Sequence, residues 1–168
     1  MKKGLLILII SLIQHQNVFG QDSLKINSNW ITLKQQIKNK TEITLDLTEE
    51  LSKSKKIDKI ELQKVIASAN NLKSICENTA LNKSVVNSIN DKNRQLNTYL
   101  VHSLVNLEYD SKLKKKEEVQ SLTDQLQMVE TQICIESNKY NQRCKDLKRE
   151  ELIFQIKCEA EPPKVEYK

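Results

Sequence analysis

The sequence predicts an all-α fold: an elongated antiparallel up-down four-helix bundle, with three long helices as the competing arrangement. Three observations predict it. The 168 residues include only two glycines, Gly4 and Gly20, and two prolines, Pro162 and Pro163, so residues 21–161 hold neither a glycine turn nor a proline break. Apolar residues recur at steps of three and four along most of the chain. Charged residues make up 29% and aromatic residues 4%, so the faces between the apolar stripes are wet and the few rings weigh heavily in the core. The same scarcity of glycine excludes phosphate-cradling loops, dinucleotide fingerprints and nucleophile elbows. The length suits one domain.

The first twenty residues stand apart. A basic start at Lys2 and Lys3 precedes an apolar run over residues 4–13, which is too short for a bilayer span. Val18 and Gly20 suit cleavage before Gln21. Residues 1–20 are therefore expected to be a signal peptide, with a short N-terminal anchor as the alternative. Residues 21–150 form the bundle, and residues 151–168 a tail that packs back on it. Without Lys2 and Lys3, 25 bases face 22 acids, a net charge of +3. That mixed-sign surface excludes a nucleic-acid stripe.

Segment one carries Ile26, Trp30, Leu33, Ile37, Thr44, Leu47 and Leu51 on one stripe, with Lys34, Gln35, Gln36, Lys38 and Asn39 on the wet side. Ser28 or Asn29 could cap a turn there, or the helix begins earlier, at Asp22 or Ser23. Asp58 and Glu61 form a capping box for segment two, whose stripe is Leu62, Val65, Ala69, Leu72 and Cys76. Ser84 is the expected cap of segment three. Its stripe, Val86, Ile89, Leu96, Leu100, Leu104 and Leu107, is weakened by Asn93. Segment four is the longest: Val119, Leu122, Leu126, Val129, Ile133, Tyr140, Cys144 and Leu147, broken only by Glu136. The basic runs at residues 53–56 and 112–116 fall in helix–helix connections.

The residues of segment four resemble those of the LemA family: a leucine-spaced start, Glu130 three residues before Ile133, then Tyr140-Asn141, with Phe154 in the C-terminal stretch. Segment one is similar through Trp30, Ile37, Lys38, Lys40, Glu42, Ile43 and Leu47, and the third segment's end through Leu104, Val105, Glu108, Tyr109, Leu113 and Lys114. The resemblance spans most of residues 24–160. The family's Pro-Asn is here Leu45-Asp46, its His-Glu is Ile57-Asp58, and its C-terminal Gly-Phe is missing, so this looks like a divergent member. The resemblance implies an antiparallel helical bundle of the cell envelope with no established activity, cofactor or catalytic residue.

The chemistry-bearing residues are sparse. His102, the only imidazole beyond residue 20, points away from the stripe and cannot assemble a zinc site alone. Glu136 reads as an acid reaching water or a neighbouring lysine. The adjacent acid pairs diverge by about 100° on a helix and do not converge on a substrate. Cys76, Cys134, Cys144 and Cys158 are disulfide candidates if the chain is exported. A Cys134–Cys144 bridge is excluded, because ten helical residues span about 15 Å against the roughly 7 Å that a disulfide permits. The expected bridge is Cys144–Cys158, with Cys76 and Cys134 paired together or left as thiols.

These residues point to a non-enzymatic exported scaffold or interaction module of the envelope, periplasmic or secreted, with no cofactor or metal. Its partner would be an unknown envelope protein, or a second copy of itself through the helix faces, and not a nucleic acid. The alternative is a peripheral membrane or polyanion binder, using the N-terminal segment or the lysine-rich connections.

Overall fold

The computed structural model describes the backbone of residues 2–156 and the side chains of residues 24–156. Five helices follow in order: α1 (Lys2–Ser52), α2 (Lys59–Cys76), α3 (Lys83–Glu108), the single turn α4 (Ser111–Lys114) and α5 (Glu117–Asp146), then a 3-10 turn at Glu150–Leu152. Four of them are substantial, and no strand occurs among the described residues. The fold is the expected all-helical bundle. No helix among the described residues is long and apolar enough to cross a membrane.

Each helix forms for the reason its spacing gives, with two differences at the caps. Asp58 caps α2 by accepting from the Ile60 N–H at 2.8 Å. Glu61 does not close the box and pairs with Lys64 at 2.5 Å. Asn82, not Ser84, caps α3, accepting from the Val85 N–H at 3.0 Å. The helix therefore starts two residues earlier than expected, where the extended backbone of Asn82 aims its amide oxygen at the first turn. No cap interrupts α1 at Ser28 or Asn29, because the helix arrives there already formed.

The stripes meet in one continuous core. Ile26, Trp30, Leu33, Ile37, Leu47 and Leu51 of α1 are buried, as are Leu62, Val65, Ala69 and Leu72 of α2. So are Val86, Ile89, Leu96, Leu100 and Leu107 of α3, and Val119, Leu126, Val129, Ile133 and Tyr140 of α5. Side chains of this kind contribute about 1.5–3 kcal/mol each when fully buried. The long helix α1 packs along both α5 and α2, and α2 packs along α3. Helices α3 and α5 do not pack along each other in this way, which leaves a seam between them that Lys40 of α1 reaches.

Both basic connections lie at one end of the bundle, tied together by hydrogen bonds and ion pairs. Ser54 donates to Asp110 at 2.6 Å, Lys56 lies 3.9 Å from the same carboxylate, and Lys116 reaches Glu50 at 2.6 Å. Asp110 is held below the usual carboxylate range, first by the Ser54 hydroxyl and then by the Leu113 N–H.

The cap assignment is directly testable. Asn82→Ala is expected to cost about 1 kcal/mol in a denaturant melt, and Ser84→Ala less than about 0.5 kcal/mol. The reverse order would place the start of α3 at Ser84.

Candidate functional site

Two clusters of non-aliphatic side chains lie inside the bundle, and they bring together the family-like residues Lys40 and Glu130 in one and Trp30, Tyr140, Asn141 and Phe154 in the other. The first is centred on Lys40. Its residue is 0% exposed, on the face of α1 that looks into the seam. An ammonium has three N–H donors and no acceptor. All three are used: one goes to Asn93 Oδ1 at 2.9 Å, one to Asn97 Oδ1, and one to Glu130 Oε1 at 2.5 Å. One side chain of α1 thereby joins α3 to α5 across the seam.

The electrostatics follow from the burial. Desolvation pulls the Lys40 pKa down from its usual 10.5, and the Glu130 carboxylate opposes that pull. The Glu130 side chain is 34% exposed, so one end of the pair reaches solvent. Nearby layers of the core are also polar. Thr48 donates to the Thr44 carbonyl at 2.7 Å, while the buried hydroxyls of Thr44, Ser68 and Ser103 have no protein partner.

The second cluster closes the opposite end of the core. The Trp30 ring lies 5.2 Å from that of Tyr140 and 6.4 Å from that of Phe154, centroid to centroid. The Tyr140 hydroxyl donates to the Leu152 carbonyl at 2.9 Å. Asn141 brackets the backbone of Phe154: its amide donates to the Phe154 carbonyl at 2.8 Å and accepts from the Phe154 N–H at 2.8 Å. The Gln155 N–H then donates to Asn90 of α3 at 3.0 Å. Leu152 and Phe154 are buried against the core as a result. Lys34, expected on the wet face, is instead buried. It donates to the Asn78 carbonyl, with its ammonium 5.8 Å from the Trp30 ring centroid, so its stem covers the indole.

The cysteines require a correction. Cys144 is a free, buried thiol, so the expected Cys144–Cys158 bridge does not form. Its side of α5 faces the core beside Tyr140, and by Phe154 the tail has already passed its level. Cys76 is also a free, buried thiol and is not bridged to Cys134; desolvation pushes it up to about 12 despite Lys34 and Lys38 nearby. Cys134 is not a free thiol. Cys158 lies outside the described residues.

The remaining candidates stay apart. His102 is exposed on α3. Glu136 is half-buried on α5 and is held by Lys139 at 2.8 Å. A pocket of about 710 Å³ between α1 and α5 is lined by Asp46, Glu49, Glu50, Glu117 and Glu118, but Lys116 already pairs with Glu50 and Glu118 there. No group of three or more His, Cys, Asp or Glu among the described residues is placed to hold a metal ion.

In the sequence Lys40 and Glu130 stand out only as family-like positions, and Asn93 only as a flaw in a stripe. The available signal was their combination: a lysine three residues after buried Ile37, an amide inside the α3 stripe and an acid beside the α5 stripe are three polar interruptions that satisfy one another.

Residues 29–166 match the sequence model of the LemA family, which covers most of the chain. No curated protein and no solved structure matches it. The chain belongs to the LemA family.

Removing one member of the buried pair should cost far more than removing both. Glu130→Leu is expected to destabilise by about 3 kcal/mol, because it leaves the Lys40 charge uncompensated, and the double variant Lys40→Met/Glu130→Leu should recover at least half of that loss. Equal losses in single and double variants would mean that the pair is not coupled. The folded chain holds the Lys40 proton less tightly than the unfolded chain, so this group's contribution to stability rises as pH climbs from its lowered folded pKa towards 10.5. Lys40→Met should lack that alkaline rise in a series of denaturant melts.

Proposed function

We propose that this member of the LemA family is a non-enzymatic helical interaction module of the cell envelope, exported by way of residues 1–20. The observation that carries the reading is an apolar stripe on the outside of α3. Val101, Val105 and Tyr109 follow one another at steps of four and are 57%, 52% and 77% exposed. They sit opposite the face that α3 buries, so the core has no use for them. A row of apolar side chains at i, i+4 and i+8 is the form in which one helix offers itself to another.

What favours binding over catalysis is the fate of the reactive groups. The three Lys40 donors are consumed inside the core, Glu136 is held by Lys139, and His102 stands alone in solvent. The membrane or polyanion reading has less behind it, because four of the seven lysines in the two basic connections are engaged. Lys53 pairs with Glu50, Lys56 with Asp110, Lys114 with Glu108, and Lys116 with Glu50 and Glu118. Phosphate contacts would have to displace those partners. The partner is an envelope protein, or a second copy of this chain, that presents an apolar helix face.

A photo-crosslinking residue at Val105 is expected to give a discrete adduct in envelope fractions, lost when Val101 and Tyr109 are both changed to Lys. Those exposed changes should move stability by less than about 0.5 kcal/mol each. Absence of any adduct from Val105, or salt-sensitive binding to anionic vesicles in its place, would overturn the reading. Mass spectrometry of the exported protein should find its N-terminus at Gln21.

A further inference from the structure

We propose that two copies of this chain exchange the segment that follows α5, so that residues 150–156 of each copy pack against α5 and α3 of the other. The hinge of the exchange is the reversal at Leu147–Arg149. Its backbone is strained. Lys148 has φ 54°, the one positive φ among the described residues. It is the left-handed residue of a Schellman turn: the Lys148 N–H donates to the Lys145 carbonyl at 3.0 Å and the Arg149 N–H to the Cys144 carbonyl at 2.8 Å. Glycine usually takes that place, because a Cβ there crowds the following carbonyl oxygen.

The local sequence favours the opposite conformation. Leu147-Lys148-Arg149-Glu150-Glu151-Leu152 holds only strong helix formers, so its intrinsic preference is to carry α5 straight on. Lys148, Arg149 and Glu150 are exposed, and straightening the hinge withdraws none of them from the core.

Beyond the hinge the segment is held by specific contacts. Leu152 is bonded to Tyr140, Phe154 to Asn141 and Gln155 to Asn90, with the Phe154 ring beside Trp30. Each of these contacts forms equally well when the segment comes from a second copy. They cancel between the closed monomer and the exchanged dimer, and the balance falls to the two hinges. The directions agree as well. In the closed chain the segment turns back from Asp146 to the level of Tyr140 and Asn141. Two α5 helices that meet end to end point in opposite directions, so a segment running straight on from one α5 enters the other copy the right way round. Leu24, 70% exposed, lies at that end beside a pocket of about 260 Å³ lined also by Leu81, Arg149 and Leu152, where the second copy arrives. The exchange does not depend on the α3 docking face.

The test uses the purified full chain, refolded at high concentration and sized by light scattering. A dimer that dissociates slowly on dilution is expected beside the monomer. Lys148→Gly should lower the dimerisation constant by about thirtyfold or more, because strain is relieved at both hinges of the closed state. Lys148→Val should raise it, because a branched side chain resists a positive φ. Chains carrying Asn90→Cys, refolded under oxidising conditions with chains carrying Gln155→Cys, should yield a disulfide between these two positions on different copies. A Lys148→Gly chain carrying both changes should form the same link within one copy. The double variant Val101→Lys/Tyr109→Lys should keep the dimer. Monomer alone in the wild type, a dimer indifferent to both Lys148 changes, or no link between copies would each overturn the exchange. A dimer lost in the Val101/Tyr109 variant would assign the contact to the α3 stripe and also overturn it.

Discussion

A single buried ammonium sets the terms for the rest of the bundle. Taking Lys40 out of water has a desolvation cost that only good geometry repays, and here each of its three donors meets an acceptor. Those acceptors come from two helices that otherwise stand apart. Helix α3 keeps an amide where its stripe calls for an aliphatic residue, and α5 keeps an acid near the core. An all-aliphatic seam would tolerate sliding between layers, whereas three directional bonds at one level fix the register of α1 against both neighbours.

The end of the bundle away from the basic connections is fixed differently. There the aromatic rings fill space, and the polar atoms around them serve to hold a non-helical strand of chain. Tyr140 is amphipathic in the useful sense: its ring packs at a tilt against Trp30 while its hydroxyl, whose pKa burial raises, stays a donor to the Leu152 carbonyl. Charge registers the middle of the bundle and shape closes its end. The seam between α3 and α5 runs from one to the other.

The fold was legible because helical periodicity is a property of one strand of sequence at a time. Each stripe residue from Ile26 to Tyr140 named by spacing is buried or packed on the core. What was not legible depends on pairs. Asn82 and Ser84 are both good caps in isolation, and only the path of the loop chooses between them. Lys34 looks solvated on a wheel, and only the nearby Trp30 ring and Asn78 carbonyl show why it is not. Cys144 was placed correctly on the inner face, but an inner face is where a thiol is sequestered from a partner on the tail. Trp30, Tyr140, Asn141 and Phe154 were recognised as a set from their order alone, and their reason for being a set appears only in three dimensions.

The Asn141 bracket has a further consequence. Its carboxamide offers one donor and one acceptor to the main chain of residue 154, which is what the edge of a β-sheet offers to an incoming strand. One amide side chain thus acts as a template one residue long, built into a protein otherwise made of helices. It recognises extended backbone and is indifferent to the side chain that the backbone carries; Phe154 adds its own selectivity by filling the space beside Trp30. The tail's hold on the bundle is therefore modular: tolerant of most substitutions at the bracketed residue, intolerant of proline there, and open in principle to competition from any extended peptide bearing one aromatic ring.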